Sequence, residues 1–585
     1  MTHRKNSSLL ALLFVCLLSN SWADEKLDML KNISAAGAPV LTLKMLDQAQ
    51  PKVDIDLYEW ILWEQERYSI LSQWQQWDDL LVRIESLPDD LPEQFIQQAV
   101  THKIRAYLEI GQTATARQLL REQLWQTAAG DSSEYQTWRR QVIVSYLQDG
   151  RIEDARIAML RFNQDFETED ESWLLLRASV LIQAGRYDQA IQILQENTGW
   201  QAQLTSLLAQ LRAQLIGHKA LWAQVKSQTS RNRIEAEELV TLWALGYYAA
   251  QQMSAADRVV ALEQLFKTDA ITPLELFQLP VDRLWEAYTE YAQLVGNRVE
   301  LLVGDDARWL ELAQNASQVT PVKARSLYAQ LMLRSKEQEI VNDAAEGYMQ
   351  TFQAVDESEQ NLLNQLFNNS ETFSDARRIP SVIRYQLVDL ALKKTDIEEA
   401  TRLMSGLSDY PENTSRFKWQ LRQSRVLILG GRYAEGNQIL HTLIGEYLEP
   451  SAESTDRILQ VLFDLQTVDL HEQAVVHFNQ LLQRPIEFGQ RREIMFWIAD
   501  SFKALEKYDQ AALLYLQSAM LPGPLTMDPW AQTARFSAAE SLQKSGLIDD
   551  SRRIYNELLM VTRDPARRAM LNHNIQRLWL SQNIP

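Results

Sequence analysis

A chain of 585 residues, 46% hydrophobic and 23% charged, has material for several domains and is too apolar for a disordered polypeptide. Its net charge of −19 sets it against DNA and anionic lipid surfaces. One cysteine and seven histidines leave little for disulfide or metal chemistry, and only 19 Gly and 16 Pro over this length favour a helical fold.

The chain opens with the pattern of a secretory signal peptide over residues 1–23. Arg4 and Lys5 precede the apolar run Leu9–Leu18, which is too short to span a bilayer, and Ser21-Trp22-Ala23 offers small residues flanking a cleavage point before Asp24. Cys16 as a lipoprotein cysteine is disfavoured, because Val15 stands where a small residue is needed. Since Cys16 is the only cysteine, the processed chain would have none, which with the leader points to the periplasm of a Gram-negative bacterium. No later segment is apolar for long enough to predict a transmembrane helix.

From residue 24 to about 200 a short phrase recurs between apolar-periodic stretches, clearest at Ala184-Gly185-Arg186-Tyr187-Asp188-Gln189-Ala190. Taking as marker the residue two before the turn aromatic, the positions are Gln75, Gly111, Gly150 and Gly185. The phrase returns in the last third, at Gly430-Gly431-Arg432-Tyr433 and Glu506-Lys507-Tyr508, with markers at Thr395, Gly431, Asp469, Glu506 and Gly546. A period of 35–40 residues with a turn at each marker predicts helix, tight turn, helix. Each turn is followed by a small residue (Ala116, Ala155, Ala190, Ala400, Gly436, Ala474, Ala511, Ser551). Four positions further on comes a large one (Leu120, Met159, Leu194, Met404, Leu440, Phe478, Tyr515, Tyr555). The small side chain lets two helices approach, and the large one fills the groove one turn later.

On these residues the chain resembles the tetratricopeptide repeat family over 55–200 and 380–565. The resemblance implies an all-α superhelix, a TPR-like solenoid of about 14 helical hairpins, that binds a partner and does no chemistry. Between 201 and 380 the pattern is weak, and degenerate helical repeats are expected there, with Gly217 and Gln252 as markers. The repeats of 381–565 are expected to end in a capping helix over 566–585, with Arg567, Arg568, His573 and Arg577 on its polar outer face. Helix starts are predicted at Thr320-Pro321, Asp528-Pro529 and Asp564-Pro565, and a capping box at Thr272-Pro273-Leu274-Glu275.

Candidates for chemistry are few. His471 and His477 sit six apart, about 240° around a helix, so they do not present one face to a metal. Glu540-Ser541 superficially matches the catalytic pair of soluble lytic transglycosylases but lacks the Gly-Leu-Met-Gln-like segment that should follow. The clamp positions at which some tetratricopeptide proteins hold a peptide carboxylate fall on Arg140 and Val144, or Phe496 and Asp500, and lack the required Lys and Asn. Trp60, Trp63, Tyr68, Trp74 and Trp77 crowd the first repeat and are read mostly as core.

The expectation is therefore a non-enzymatic periplasmic scaffold with no catalytic, cofactor or metal residues and no cofactor. Its partners would be proteins or peptides of the cell envelope, in assembly, secretion or trans-envelope transport, and not nucleic acid. The alternative is an accessory factor for exopolysaccharide export or peptidoglycan metabolism, with glycan binding.

Overall fold

The computed structural model describes residues 27, 29–34, 37–126, 133–168, 170–231, 233–296, 304–352, 356–446 and 451–582. The signal-peptide segment 1–23 lies outside them. Among the described residues every regular element is an α- or 3₁₀-helix. The chain divides into two compact units, one of residues 1–234 with 273–277 and one of residues 235–272 with 278–585.

The repeat register is realised in the backbone. All nine sequence markers have positive φ, between 55° and 86°. At each, the amide after the marker donates to the carbonyl five residues back at 2.8–2.9 Å, as Arg186 does to Leu181 and Lys507 to Phe502. This left-handed cap satisfies the last carbonyls of the first helix. The second helix starts two residues past the marker, as at Tyr187, Tyr433, His471 and Tyr508. A tenth turn of the same kind lies at Gln214, whose successor Leu215 donates to Gln210. The marker expected at Gly217 is therefore displaced by three residues. Gly217 instead precedes helix His218–Thr229 with φ −79°, and Gln252 lies in a turn without positive φ.

Gly430-Gly431 has two separate reasons. Gly431 is the left-handed residue at φ 80°. Gly430 has ordinary dihedrals, but a Cβ there would stand 1.9 Å from Thr401 Oγ1 of the preceding helix. Thr395 is the costly marker, since a β-branched residue at φ 59° is strained. Thr395→Gly is expected to raise stability by about 1 kcal/mol, seen as a higher urea midpoint at unchanged slope.

The small and large positions are all buried. Seven of the small ones, from Ala116 to Ser551, are wholly inaccessible, Gly436 is buried with them, and the large ones are at most 3% exposed. Of the turn aromatics, Trp77 and Tyr187 pack, partly buried, against the cores of their hairpins. Tyr433 is 40% exposed, and Tyr187 and Tyr508 are half-buried. Over two of the turn aromatics lies a basic side chain of the following hairpin: Arg105 over Trp77 at 5.7 Å and Lys544 over Tyr508 at 5.0 Å.

In the first unit each helix packs on its sequence neighbours, and Leu57–Gln73 with Glu93–Glu109, Glu93–Glu109 with Ser133–Gln148 and Glu171–Gln183 with Trp200–Arg212 also meet across one intervening helix. Its core runs through Ile143, Phe162, Trp173 and Ala209. The segment Pro273–Phe277 belongs to this unit, with Leu276 against that core. It forms a 3₁₀ turn at Glu275–Phe277 in place of the α-helix that the capping-box spacing predicts. Thr272 instead shares a 2.7 Å hydrogen bond with the Thr241 hydroxyl.

The second unit begins out of sequential order. Helix Ala255–Lys267 packs on Glu357–Asn368, and Asp282–Val295 on Pro321–Arg334. A buried network holds this bundle. Arg325 donates through Nε and Nη2 to the two oxygens of Glu263 at 2.7 and 2.6 Å, and Tyr288 donates to Glu263 at 2.8 Å. From Ser381 onward nearest-neighbour hairpins resume, up to helix Pro565–Gln582. Asp528 and Asp564 cap their helices, accepting from Ala531 N at 2.7 Å and Arg567 N at 2.8 Å. Thr320 precedes its helix without a side-chain cap bond. On the last helix Arg568, His573 and Arg577 are exposed and Arg567 is half-buried.

Candidate functional site

The second unit opens a cleft of about 620 Å³ between helices Gln338–Gln350, Ser381–Lys393 and Arg416–Leu429. Its fourth wall is a loop that exists because the second helix of that repeat, Ile397–Met404, has only eight residues. The chain then takes residues 405–415 to reach the next helix, longer than a tight turn requires.

This loop is pinned. Arg384 donates to the Leu403 carbonyl at 2.8 Å and to that of Ser405 at 2.8 Å. Gln423 donates to the Met404 and Leu407 carbonyls at 3.0 and 2.8 Å. Glu435 accepts from the Ser405 hydroxyl at 2.9 Å and from Gly406 N at 2.7 Å. These bonds fix the start of the loop, up to Leu407, from which Asp409, Tyr410 and Glu412 run on along the cleft.

The floor is aromatic. Tyr385 and Trp419 meet edge-to-face at 5.0 Å, and both are buried, while Tyr410 remains 46% exposed. Four carboxylates, Glu346, Asp389, Asp409 and Glu412, line the space against one guanidinium, Arg422. Arg422 is paired with Asp389 and lies 5.7 Å from the Trp419 ring centroid. Burial, reinforced by Asp409, pushes the Tyr385 phenol up to about 12, so it stays a neutral donor. The arrangement can attract a cation and stack a flat group.

The sequence candidates occupy other places. Trp60, Trp63 and Tyr68 are core residues, Trp77 packs partly buried against that core, and Trp74 is 41% exposed and donates to Ser34 Oγ at 3.3 Å. Arg140 is taken by Asp170, whose carboxyl it holds down at about 2, and lies over Phe162 and Trp173 at 5.4 Å. Val144 is half-buried; Phe496 meets Tyr515 and Trp530 edge-to-face, and Asp500 accepts from Tyr515 at 3.0 Å. Glu540 pairs with Lys503 at 2.9 Å, and Ser541 donates to the Ser537 carbonyl. These contacts give each a packing role.

His471 and His477 point to different surroundings. His477 is 4% exposed, its Nε2 is 3.1 Å from Asn437 Oδ1, and its ring lies 6.1 Å from that of His441. Burial lowers it to about 4. A histidine kept neutral in the fold but free to protonate when unfolded contributes stability above pH 6.5 that is lost as pH falls toward 4. His477→Gln is expected to flatten that part of the acid limb in urea midpoints measured from pH 7 to 4.

Among the described residues no helix is long and apolar enough to cross a membrane, and no cluster of three or more His, Cys, Asp or Glu could hold a metal. No family model and no curated protein matches the chain. Among solved structures it is similar to yeast Tom70, at 12% identity and a TM-score of 0.23, over 84% of this chain and 97% of that one. It is also similar to the pentatricopeptide repeat protein PPR10 in complex with an 18-nt psaJ RNA element, at 13% identity and 0.24, over 100% of this chain and 91% of that one.

Proposed function

We propose that this protein is a non-enzymatic scaffold of the bacterial cell envelope, acting in the periplasm and holding protein partners in an assembly, secretion or trans-envelope transport complex. The observation that supports this reading is the acid-aromatic cleft lined by Asp409, Tyr410 and Trp419. The repeat consumes its small and large positions in stacking. What distinguishes one repeat from the next is left on helix faces and loops, and these are the surfaces that bind. The net charge of −19 favours basic or neutral partners, with binding weakened by salt.

Affinity capture from envelope extract tests the reading. Recovery of a protein complex that dissociates with rising salt supports it. Retention of glycan or sacculus alone, or turnover of peptidoglycan by the purified chain, overturns it.

A further inference from the structure

The first unit already carries an extended segment on its surface. Pro273–Phe277 belongs to this unit, although residues 235–272 before it and 278–585 after it belong to the other. Ser172, Leu175, Leu176 and Ser179, at i, i+3, i+4 and i+7, make one face of helix Glu171–Gln183. With Gln201 of helix Trp200–Arg212 they border a cavity of about 550 Å³, closed on its other side by Pro273, Leu274 and Glu275. Leu276 and Leu176 both pack against the core of the unit, and Phe277 is buried. Apart from the single 3₁₀ turn at Glu275–Phe277 this strap has no regular structure of its own.

The strap fits this face incompletely. The cavity stays open beside it, and its one charge is opposed. Partial burial first and the like charge of Glu109 second hold the Glu275 carboxyl above its ordinary value. The strap thus shows what the face accepts, an extended segment apolar at alternate positions, and which of its residues is the wrong one for the place. We propose, resting on the scaffold reading above, that this face of the first unit takes an extended segment of a partner protein, and that Pro273–Phe277 occupies it in cis until that segment displaces it. The partner segment has leucine-like residues where the strap has Leu274 and Leu276, and Lys or Arg where it has Glu275. The apolar contacts are exchanged like for like, and the cation meets the Glu109 carboxylate with attraction in place of repulsion. A tethered occupant competes at an effective concentration of roughly millimolar, so a segment without that gain in charge pairing binds weakly.

The test is fluorescence anisotropy of two labelled peptides titrated with the full chain, one with the sequence of residues 270–280 and one carrying Glu275→Lys in that sequence. The lysine peptide is expected to bind about threefold more tightly than the parent. Both are expected to bind about tenfold more tightly to the chain variant Leu274→Ser/Leu276→Ser, in which the cis occupant no longer competes. Leu175→Asp, on the receiving face, is expected to remove binding. Thermal unfolding of each variant by circular dichroism confirms that the fold persists. A second measurement uses the unsubstituted chain and decides the matter if the strap variant fails to fold: excess lysine peptide is expected to accelerate hydrogen exchange at residues 272–278 and to leave residues 451–504 unchanged. Absence of binding by the folded chain overturns the proposal, as does equal binding of a scrambled lysine peptide, an affinity indifferent to release of the strap, or unchanged exchange at 272–278 with peptide bound. If both peptides fail while envelope capture still recovers a protein complex, the strap assignment falls alone; if capture also fails, the scaffold reading falls with it.

Discussion

Arg325→Met is expected to destabilise the second unit by about 3–5 kcal/mol, because it leaves the carboxylate of Glu263 buried without its counter-ion. The side chains are 8% and 3% exposed, and the pair is joined by two parallel hydrogen bonds at 2.7 and 2.6 Å. Water cannot take over either partner in place. Tyr288, whose hydroxyl donates to the same carboxylate, is fully buried, and burial first and Glu263 second push its phenol far above its ordinary value. It remains a donor and cannot relieve the charge. The double variant Glu263→Met/Arg325→Met is expected to recover most of the loss, since both charges are gone, with a residue of about 1 kcal/mol for the Tyr288 acceptor. Urea denaturation of the two single variants and the double one measures this. Equal losses in single and double variants would mean that shape, and not charge pairing, holds the bundle.

Phe478→Ala is expected to cost about 3–5 kcal/mol, and Ala474→Leu about 1–3 kcal/mol. The two residues are the large and small positions of one repeat, both wholly inaccessible, and both belong to the core that runs from Leu421 to Ile498. Removing the ring opens a cavity between helices Tyr433–Glu446, Ala452–Thr467 and His471–Leu482, while enlarging the alanine forces them apart. Because hairpins in this stretch contact only their neighbours, the damage should stay local. Hydrogen exchange is expected to accelerate in helices between residues 433 and 504 and to remain unchanged between 93 and 148. A uniform acceleration along the chain would contradict nearest-neighbour stacking.

The repeat was legible because its determinants are local. A left-handed turn, a small residue five positions on and a large one four further lie within ten residues, so Gly185, Ala190 and Leu194 announce a hairpin without reference to the rest of the chain. Four markers lack glycine, at Gln75, Thr395, Asp469 and Glu506, and the period located them all the same. Between 201 and 380 the determinants are distant. Glu263 meets Arg325 62 residues on, and Trp285 Nε1 donates to the Leu366 carbonyl across 81 residues, pairings that no window of a repeat contains. Thr272-Pro273-Leu274-Glu275 has the spacing of a helix start, but Pro273–Phe277 belongs to the first unit while Thr272 stays with the second, and tertiary contact prevailed over the local signal.

The cleft escaped notice for the same reason. Its walls come from three helices and a loop that lie apart in sequence, and Trp419 reads as an ordinary core tryptophan. The one signal within reach was Asp409-Tyr410-Pro411-Glu412, an acidic and aromatic run where a repeat needs only a short connection.

The most direct measurement is site-specific photo-crosslinking in living cells, with a photoreactive residue placed at position 410 of the full chain. The account predicts a discrete protein adduct, lost when Asp409→Asn/Glu412→Gln is introduced into the same chain. An adduct with glycan alone, or a protein adduct indifferent to those two carboxylates, would contradict it.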